Sequence, residues 1–322
     1  MEELKRELEK LSKTYVDTPE KEEKILIPFI KRLLELSVKE RRKFLPTIRE
    51  LQWIKGKFSE TFCDHHRARF LGAVQFVCGN KREMDLGYHI DFNLLCKLLS
   101  LYTPSWLAEY INDAESYLNF NISYEQLMQL IDMGYMQELS PKRIAQILPG
   151  YICIRSSLPK GKDTFNSDLL LKREITLKEH IWYLFEQESS IGYHNDRAQT
   201  AYKEGTTSRD ESFSAAFYRF SLDGHLDRNR LLRATLSTFN RSFKKDMVNW
   251  FAGLFEELQP RAEELISLQE EIMQVFTSPY TKPVNVMLQQ LKKIASEGGF
   301  HYQEFIERAT TLFFSSPKNS LL

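Results

Sequence analysis

The segment SLDGHLDRNRLL combines side chains that could carry acid–base, metal-binding or anion-binding chemistry. Asp223 and Asp227 flank His225, and an imidazole between two carboxylates can relay a proton or hold a metal ion. Arg228 and Arg230 follow at once, and arginine is a frequent partner of carboxylates and phosphates. The same residue types also occur where one helix ends and the next begins.

The helical pattern around this segment favours a corner between two helices. Gly224 stands where the preceding helix needs a left-handed C′ residue, and Asp227 stands where the next helix needs an N-cap carboxylate. Leu226 and Leu231 occupy the N′ and N4 positions of a hydrophobic staple. We therefore predict a structural corner with no catalytic residue, in which His225 is a solvated turn residue.

Two further clusters contain metal-like or acid–base side chains. In CDHHRAR, Cys63 and His66 share a helix face while His65 points elsewhere, although zinc needs three or four ligands. Since no second Cys/His pair stands at a recognised spacing, the sequence predicts no metal and no cofactor. In YHNDR, His194 and Asp196 lie in a polar loop and are candidates for an interaction surface.

The basic run KERRK indicates either a solvated helix face or a local patch for anions or nucleic acid. Its candidate residues are Lys39, Arg41, Arg42 and Lys43. Arg49, Lys55 and Lys57 could extend such a patch, whereas neighbouring glutamates dilute it.

Tryptophan occurs on helical stripes beside Leu, Ile and Phe, where core packing is the default interpretation. These positions are Trp53, Trp106, Trp182 and Trp250. An exposed tryptophan in a groove between helices would instead mark a contact for a peptide or a base. We keep Trp250, together with Arg228 and Arg230, as a candidate for such a surface.

Nearly every segment shows apolar residues at helical spacing and almost none alternates as a strand does, so the sequence predicts an all-α fold. Capping boxes mark three helix starts. They are SVKE from Ser37, SYEQ from Ser123 and TLKE from Thr176. Thr18 with Pro19 marks another start, and Pro28 within that pattern predicts a kink or a restart.

From residue 210 onward, predicted helix starts recur about every 17 to 20 residues, near 210, 227, 244, 261, 281 and 301. Paired helices then form units of roughly 34 to 40 residues, which is typical of stacked HEAT-like hairpins. We predict an α-solenoid over 210–322, preceded by an irregular N-terminal helical region over 1–157. A linker, one helix and a mobile loop fill 158–209.

The 322 residues include 44 basic and 44 acidic side chains, so the formal net charge is zero. The charges are interleaved, which argues against a generic polyanion binder. No apolar run approaches the roughly 18 residues of a membrane span, and the charged N-terminus lacks the apolar core of a signal peptide. Four widely spaced cysteines are typical of reduced core thiols. Together these features predict a cytoplasmic protein with no membrane partner.

The stretch LDGHLDRNRLLRATLSTFNRSFKKDMVNWFAGLFEELQP, Leu222–Pro260, resembles the signature of a bacterial family of unknown function built from HEAT-like repeats. Its members typically contain LDR-x-RLL and then W-[FY]-x-x-L-x-x-L-x-P. Two further blocks of the family are similar to PSWLAEYI (Pro104–Ile111) and to LKEHIWYLFEQES (Leu177–Ser189). The resemblance implies longer relatives, encoded near SWIM zinc-finger, MoxR-type ATPase and von Willebrand A-domain proteins, and a role in a multi-protein assembly. It supplies no catalytic residue.

The end of the sequence predicts an uncovered helix face. HYQEFIERATTLFFSSPKNSLL places apolar residues at helical spacing, and SSPKNSLL resembles the start of another helix. The apolar residues are Phe305, Ile306, Ala309, Leu312 and Phe313. A repeat array that ends naturally closes with a polar capping helix. We therefore expect either a fragment of a longer solenoid or self-association through the C-terminal helix.

These observations favour a non-enzymatic scaffold or adaptor that presents a concave helical surface to another protein. A HEAT-like DNA glycosylase is the alternative, because such enzymes hold a damaged nucleotide with an aspartate and aromatic side chains in a basic groove. A nucleic-acid-binding solenoid without catalysis is a third hypothesis. Zero net charge disfavours both alternatives.

Overall fold

The structure is a computed structural model that describes residues 1–14, 18–52, 62–79, 90–113, 122–154, 164–195 and 212–315. Within these ranges the chain is helical apart from turns and one short antiparallel ladder, which confirms the all-α prediction. It divides into two compact units, Met1–Arg143 and Ile144–Leu322. None of the described helices has the length and apolar composition that crossing a membrane requires.

The first unit consists of helices of varied length. They are α1 Glu2–Leu11, α2 Pro19–Leu34, α3 Val38–Arg41, α4 Leu45–Gln52, α5 Phe62–Cys78, α6 Phe92–Leu101, α7 Leu107–Asn112 and α8 Tyr124–Asp132. A 3-10 turn at Arg42–Phe44 joins α3 to α4. The division between the units falls within α9, Pro141–Tyr151.

Side-chain caps fix several helix starts in the first unit, as the sequence predicts. The hydroxyl of Thr18 accepts a backbone N–H from the first turn of α2. Two capping boxes are present, one formed by Ser37 with Glu40 and one by Ser123 with Gln126. In each box the two side chains accept each other's backbone N–H groups. These caps satisfy N–H groups that the helix itself leaves without acceptors.

Helix α2 runs through Pro28 without a new start, so the expected restart does not occur. Its neighbours Leu26, Phe29, Ile30 and Leu33 are fully buried. Phe29 meets Phe70 of α5 with ring centroids 5.8 Å apart, and α5 also lies against α3 and α4. Packing of this apolar face outweighs the backbone hydrogen bond that proline removes.

The second unit opens with short elements. They are β1 Cys153–Ile154, β2 Thr164–Phe165, a 3-10 helix Ser167–Lys172, α10 Glu174–Lys178, a 3-10 helix His180–Trp182, α11 Tyr183–Glu186 and α12 over 191–195. The strands pair antiparallel, Cys153 with Phe165 and Ile154 with Thr164. Strands this short give no alternating pattern and are not predicted. Strand β2 falls in the predicted linker, whereas β1 falls at the end of the predicted N-terminal helical region. The predicted boundaries at 157 and 209 lie outside the described residues.

Thr176 does not begin a helix, so the predicted TLKE capping box is wrong. Helix α10 begins at Glu174, and the N–H of Thr176 donates to the carbonyl of Arg173 at 3.0 Å. The side chain of Thr176 is buried. Thr176 is therefore an interior residue of the helix that it was expected to cap.

Longer helices make up the rest of the second unit. They are α13 Phe213–Leu222, α14 Arg228–Thr238, α15 Lys245–Glu257, α16 Ala262–Ser267, α17 Gln269–Gln274, α18 Thr281–Ile294 and α19 Tyr302–Ser315. Five of the six predicted starts agree to within one residue, and the first lies three residues later. The break between α16 and α17 at Leu268 has no breaker residue in the sequence and is not predicted.

These helices pack in two rows. In one row α13 lies against α15, and α15 against α18. In the other α14 lies against α17, which continues into a 3-10 turn, Val275–Thr277, that contacts α19. Helix α14 also lies against α15 and α11, so the rows share one core. The fully buried phenylalanines of these elements are Phe185, Phe213, Phe217, Phe220, Phe239, Phe251 and Phe255.

Candidate functional site

The corner between α13 and α14 has the geometry that the sequence predicts. Gly224 follows α13 in a left-handed conformation, with φ of 76°. Asp227 is the N-cap of α14, and its carboxylate accepts the backbone N–H of Arg230 at 2.5 Å. His225 is exposed and meets Phe220 edge-on with ring centroids 5.8 Å apart. The predicted left-handed Gly224 and the predicted N-cap are confirmed, and Asp227 has a structural task.

Arg228 turns inward and ties this corner to the next one along the chain. Its Nε and Nη2 donate to the two carboxylate oxygens of Glu264 at 2.7 and 3.1 Å. Its Nη2 also donates to the carbonyl of Leu258 at 2.8 Å, and its Nη1 to the hydroxyl of Ser221 at 3.2 Å. Leu258 ends α15, where carbonyls lack partners within the helix. Arg228 is therefore an internal clamp rather than a surface residue offered to a partner.

Glu264 is held as an anion by this clamp. Burial acts to raise the pKa of Glu264, but hydrogen bonds from Arg228 and Arg261 outweigh burial and lower that pKa to about 2. The backbone N–H of Arg261 donates to Glu264 at 2.8 Å, at the start of α16. A carboxyl group with so low a pKa cannot act as a general acid near neutral pH.

Arg230 stays at the surface, on a different face of α14 from Arg228. Its guanidinium carbon lies 3.9 Å from the centroid of the Trp182 ring, a cation–π contact. Trp182 is 5% exposed, and Phe185 packs beside it with ring centroids 5.9 Å apart. We name this contact the Arg230–Trp182 platform. It brings together LDR-x-RLL and LKEHIWYLFEQES, which lie far apart in the sequence.

Arg230 differs from most neighbouring arginines because no carboxylate in the described part of the chain pairs with it. In the described stretch 213–315, the paired arginines are Arg219 with Asp168, Arg228 and Arg261 with Glu264, Arg233 with Glu271, and Arg308 with Glu304. Arg241, between α14 and α15, is the other exposed arginine of this stretch that has no carboxylate partner among the described residues. The platform therefore presents a cation that no acidic side chain of the described residues neutralises.

Trp250 belongs to the core, which removes it from the candidate surface. It is 8% exposed, and its ring meets Phe251 and Phe217 with centroids 4.8 and 6.4 Å apart. Helix α12 packs closely on it, because a methyl group placed on Gly192 would lie 3.4 Å from the Cβ of Trp250.

The YHNDR candidates lie at the end of α12. His194 is half-buried and meets Tyr193 with ring centroids 5.3 Å apart, and Asp196 lies outside the described residues. Sequence reasoning missed the residue between them. Asn195 is buried, and its Oδ1 accepts the backbone N–H and the hydroxyl of Ser214, each at 3.0 Å. Asn195 therefore anchors α12 to the start of α13.

The basic run KERRK divides between surface and interior. Its exposed members are Lys39, Arg42 and Lys43. Arg41 is 5% exposed, its Nη1 donates to the carbonyl of Val77 at 3.1 Å, and its guanidinium lies 4.6 Å from the centroid of the Tyr102 ring. The side chain of Arg41 therefore closes the C-terminal end of α5 and does not belong to the candidate surface.

The metal-like motif CDHHRAR contributes Arg69 to an ion network. Its Nη1 lies 2.5 Å from Asp91, and its Nε lies 3.4 Å from the buried Glu22. Asp91 is also the N-cap of α6. The network links α2, α5 and α6, so Arg69 has a structural role. For Cys63, His65 and His66 the structure describes the backbone and not the side chains.

One group of described side chains has the spacing of metal ligands. Ligand atoms of Glu270, His301 and Glu304 all lie within 4.8 Å of one another. His301 Nδ1 is 3.8 Å from both carboxylates, and Arg308 already binds Glu304 at 2.8 Å. We interpret the group as a cluster of polar surface side chains beside the start of α19. Sequence reasoning missed it because Glu270 comes from a different helix.

The described cysteines are free thiols without the features of a nucleophile. Burial raises the pKa of Cys78 to about 12, although the nearby charge of Arg41 acts in the opposite direction. Burial also raises the pKa of Cys96. A reactive cysteine needs a lowered pKa, so neither thiol is activated near neutral pH.

A family model described as a domain of unknown function (DUF6493) matches residues 2–319 of the chain. The match therefore spans both units, including the helix corners and the Arg230–Trp182 platform. No curated protein and no solved structure matches the chain significantly.

Proposed function

The chain belongs to the DUF6493 family, and we propose that it is a non-enzymatic scaffold or adaptor that presents stacked helical hairpins to another protein. The observation that carries this proposal is the packing of α13–α19 in two rows. In a helical repeat array, each hairpin buries its apolar faces on its neighbours, so equivalent helices form rows.

The spacing of the helices supports the same proposal. Helices α13, α15 and α18 begin at residues 213, 245 and 281, at intervals of about 32 and 36 residues. We interpret α13–α14, α15–α17 and α18–α19 as three HEAT-like hairpins. The second helix of the middle hairpin is broken at Leu268.

The side chains with the strongest chemical signal in the sequence have internal tasks. Asp227 caps α14, and Arg228 with Glu264 joins two corners. This use of charge favours a binding surface over a catalytic centre. A DNA glycosylase is less favoured, because Trp182 and Trp250 are too buried to stack on an extruded base. The reduced thiols expected from the sequence favour a cytoplasmic location.

Co-purification with chemical cross-linking tests the proposal. The tagged chain is expressed in its native host and recovered after nuclease treatment, and bound proteins are identified by mass spectrometry. The first candidates to test as purified pairs are the MoxR-type ATPase and von Willebrand A-domain proteins that the family resemblance implies. We expect a stoichiometric protein partner. Recovery of nucleic acid without any protein, or turnover of a damaged-base oligonucleotide, would count against a scaffold.

A further inference from the structure

The Arg230–Trp182 platform is built to hold one guanidinium in a fixed orientation. Trp182 is buried and packs beside Phe185, and the guanidinium of Arg230 lies 3.9 Å from its ring centroid. A stacked arginine keeps the N–H groups at its edge available as donors. Because its side chain is already ordered, little conformational entropy is lost when those donors bind a ligand.

No carboxylate among the described residues pairs with Arg230, whereas Arg219, Arg228 and Arg233 in the same helix pair are each matched by one. Guanidinium and carboxylate groups form two parallel, charge-assisted hydrogen bonds. The missing carboxylate is the group that this surface can accept from outside. A planar carboxylate fits the fork of one arginine, whereas a nucleic acid needs several phosphates neutralised together.

Two exposed apolar side chains belong to elements that precede Trp182 in the chain. Ile175 is in α10, which packs against the 3-10 helix that carries Trp182. Leu171 is in the 3-10 helix before α10. We therefore expect a partner segment that contains apolar residues as well as the carboxylate that Arg230 binds.

We propose that the Arg230–Trp182 platform is a docking site for an acidic, partly apolar segment of a partner protein, with Arg230 binding one carboxylate. The proposal rests on the scaffold function and names the chemistry of its partner.

Fluorescence anisotropy with a defined probe tests the platform on the full chain. The probe is a fluorescein-labelled peptide of repeated Glu-Glu-Leu triplets, and its control replaces every glutamate with glutamine. We expect salt-sensitive binding of the acidic peptide, weakened about tenfold or more by Arg230→Ala. Arg230→Lys should also weaken binding, because lysine keeps the charge but loses the planar fork. The matched control Arg241→Ala removes an exposed, unpaired arginine and should change binding less than about twofold.

Three results would overturn the proposal. The first is that Arg230→Ala and Arg241→Ala bind the acidic peptide equally well. The second is that the protein binds the glutamate and glutamine peptides equally well. The third is that the protein binds a single-stranded oligonucleotide more tightly than the acidic peptide. Thermal unfolding of each variant shows whether a loss of binding reflects a loss of fold, and Arg230→Lys provides a second variant if Arg230→Ala is unstable.

A native partner that co-purifies equally with wild type and Arg230→Ala would reject the platform and leave the scaffold function standing. No protein partner at all would reject the scaffold function itself.

Discussion

Arg228 and Arg230 lie two positions apart in the first turn of α14 and have different tasks. Residues at i and i+2 do not share a helix face, so one arginine can point into the neighbouring corner while the other points to the surface. Arg228 meets Glu264 and the end of α15, and Arg230 meets Trp182. One short motif therefore supplies both an internal tie and an exposed cation.

The N-cap at Asp227 gives a prediction for the free energy of unfolding. Asp227→Ala removes the acceptor of the Arg230 N–H and should cost about 0.5–2 kcal/mol, as measured by urea unfolding. Asp227→Asn keeps a capping oxygen and should cost little. If Asp227→Asn abolished partner binding at an unchanged melting temperature, the residue would have a functional role that the corner does not explain.

The Arg228–Glu264 ion pair gives a prediction for acid stability. The folded-state pKa of Glu264 is about 2, below its ordinary value of about 4.3, so the unfolded chain takes up the proton first. The stabilisation is therefore fully present above about pH 4.3 and disappears as the pH falls towards 2. Glu264→Gln should lose stability at neutral pH and show a weaker pH dependence within that window, as measured by urea unfolding at several pH values.

A neighbouring glutamate provides the control for this experiment. Glu263 is exposed, and its ion pair within the described residues is with Arg261, at 3.8 Å. Glu263→Gln should follow the wild-type pH dependence closely. If the Glu264→Gln and wild-type curves were parallel between pH 4.3 and 2, the ion pair would not contribute to acid stability.

At the scale of elements, helix starts were predictable where a local cap defines them. Ser37, Ser123 and Asp227 cap helices at their expected positions, because an N-cap needs only residues within one turn. Thr176 has the same local signal, but burial by other parts of the chain makes it a helix-interior residue. The ladder between β1 and β2 depends on pairing across residues 155–163, which a local pattern does not report.

The start of α13 has two caps, one of them from a distant part of the chain. The hydroxyl of Ser212 accepts the N–H of Ala215 at 3.2 Å, and Asn195 accepts the N–H of Ser214. Asn195→Ala would leave two buried donors of Ser214 without that acceptor. We expect a loss of about 1–3 kcal/mol in the free energy of unfolding, as measured by chemical denaturation.

An exposed asparagine provides the matched control. Asn229 lies on the outer face of α14, and Asn229→Ala should change stability by less than about 0.5 kcal/mol. Amide hydrogen exchange at Ser214 should accelerate in Asn195→Ala and stay unchanged in Asn229→Ala. Equal stability and equal exchange in the two variants would show that Asn195 does not hold α13.

At the scale of the whole molecule, the sequence predicted the spacing of α13–α19 but not the contact that defines the candidate site. Helix spacing is repeated along the chain and can therefore be read from it. Trp182 and Arg230 meet because α11 packs on α14, and neither residue carries a local signal of the other. No local pattern distinguishes the internal Arg228 from the exposed Arg230. Similarly, no local pattern distinguishes the buried Arg41 from its exposed neighbours.

Helix α19 has an exposed apolar face through which we expect two copies of the chain to associate. Tyr302 and Ile306 lie one turn apart on α19 and are 55% and 61% exposed, although both are large and apolar. Covering this face would remove apolar surface from water, so we expect a dimer whose population rises with protein concentration. Sedimentation velocity should show this shift for the wild type and a monomer for Ile306→Lys.

Met133→Lys alters a comparably exposed apolar residue of the other unit, at 52% exposure, and should still dimerise. A wild-type chain that stays monomeric at all accessible concentrations, or an Ile306→Lys variant that dimerises as before, would exclude α19 as the contact.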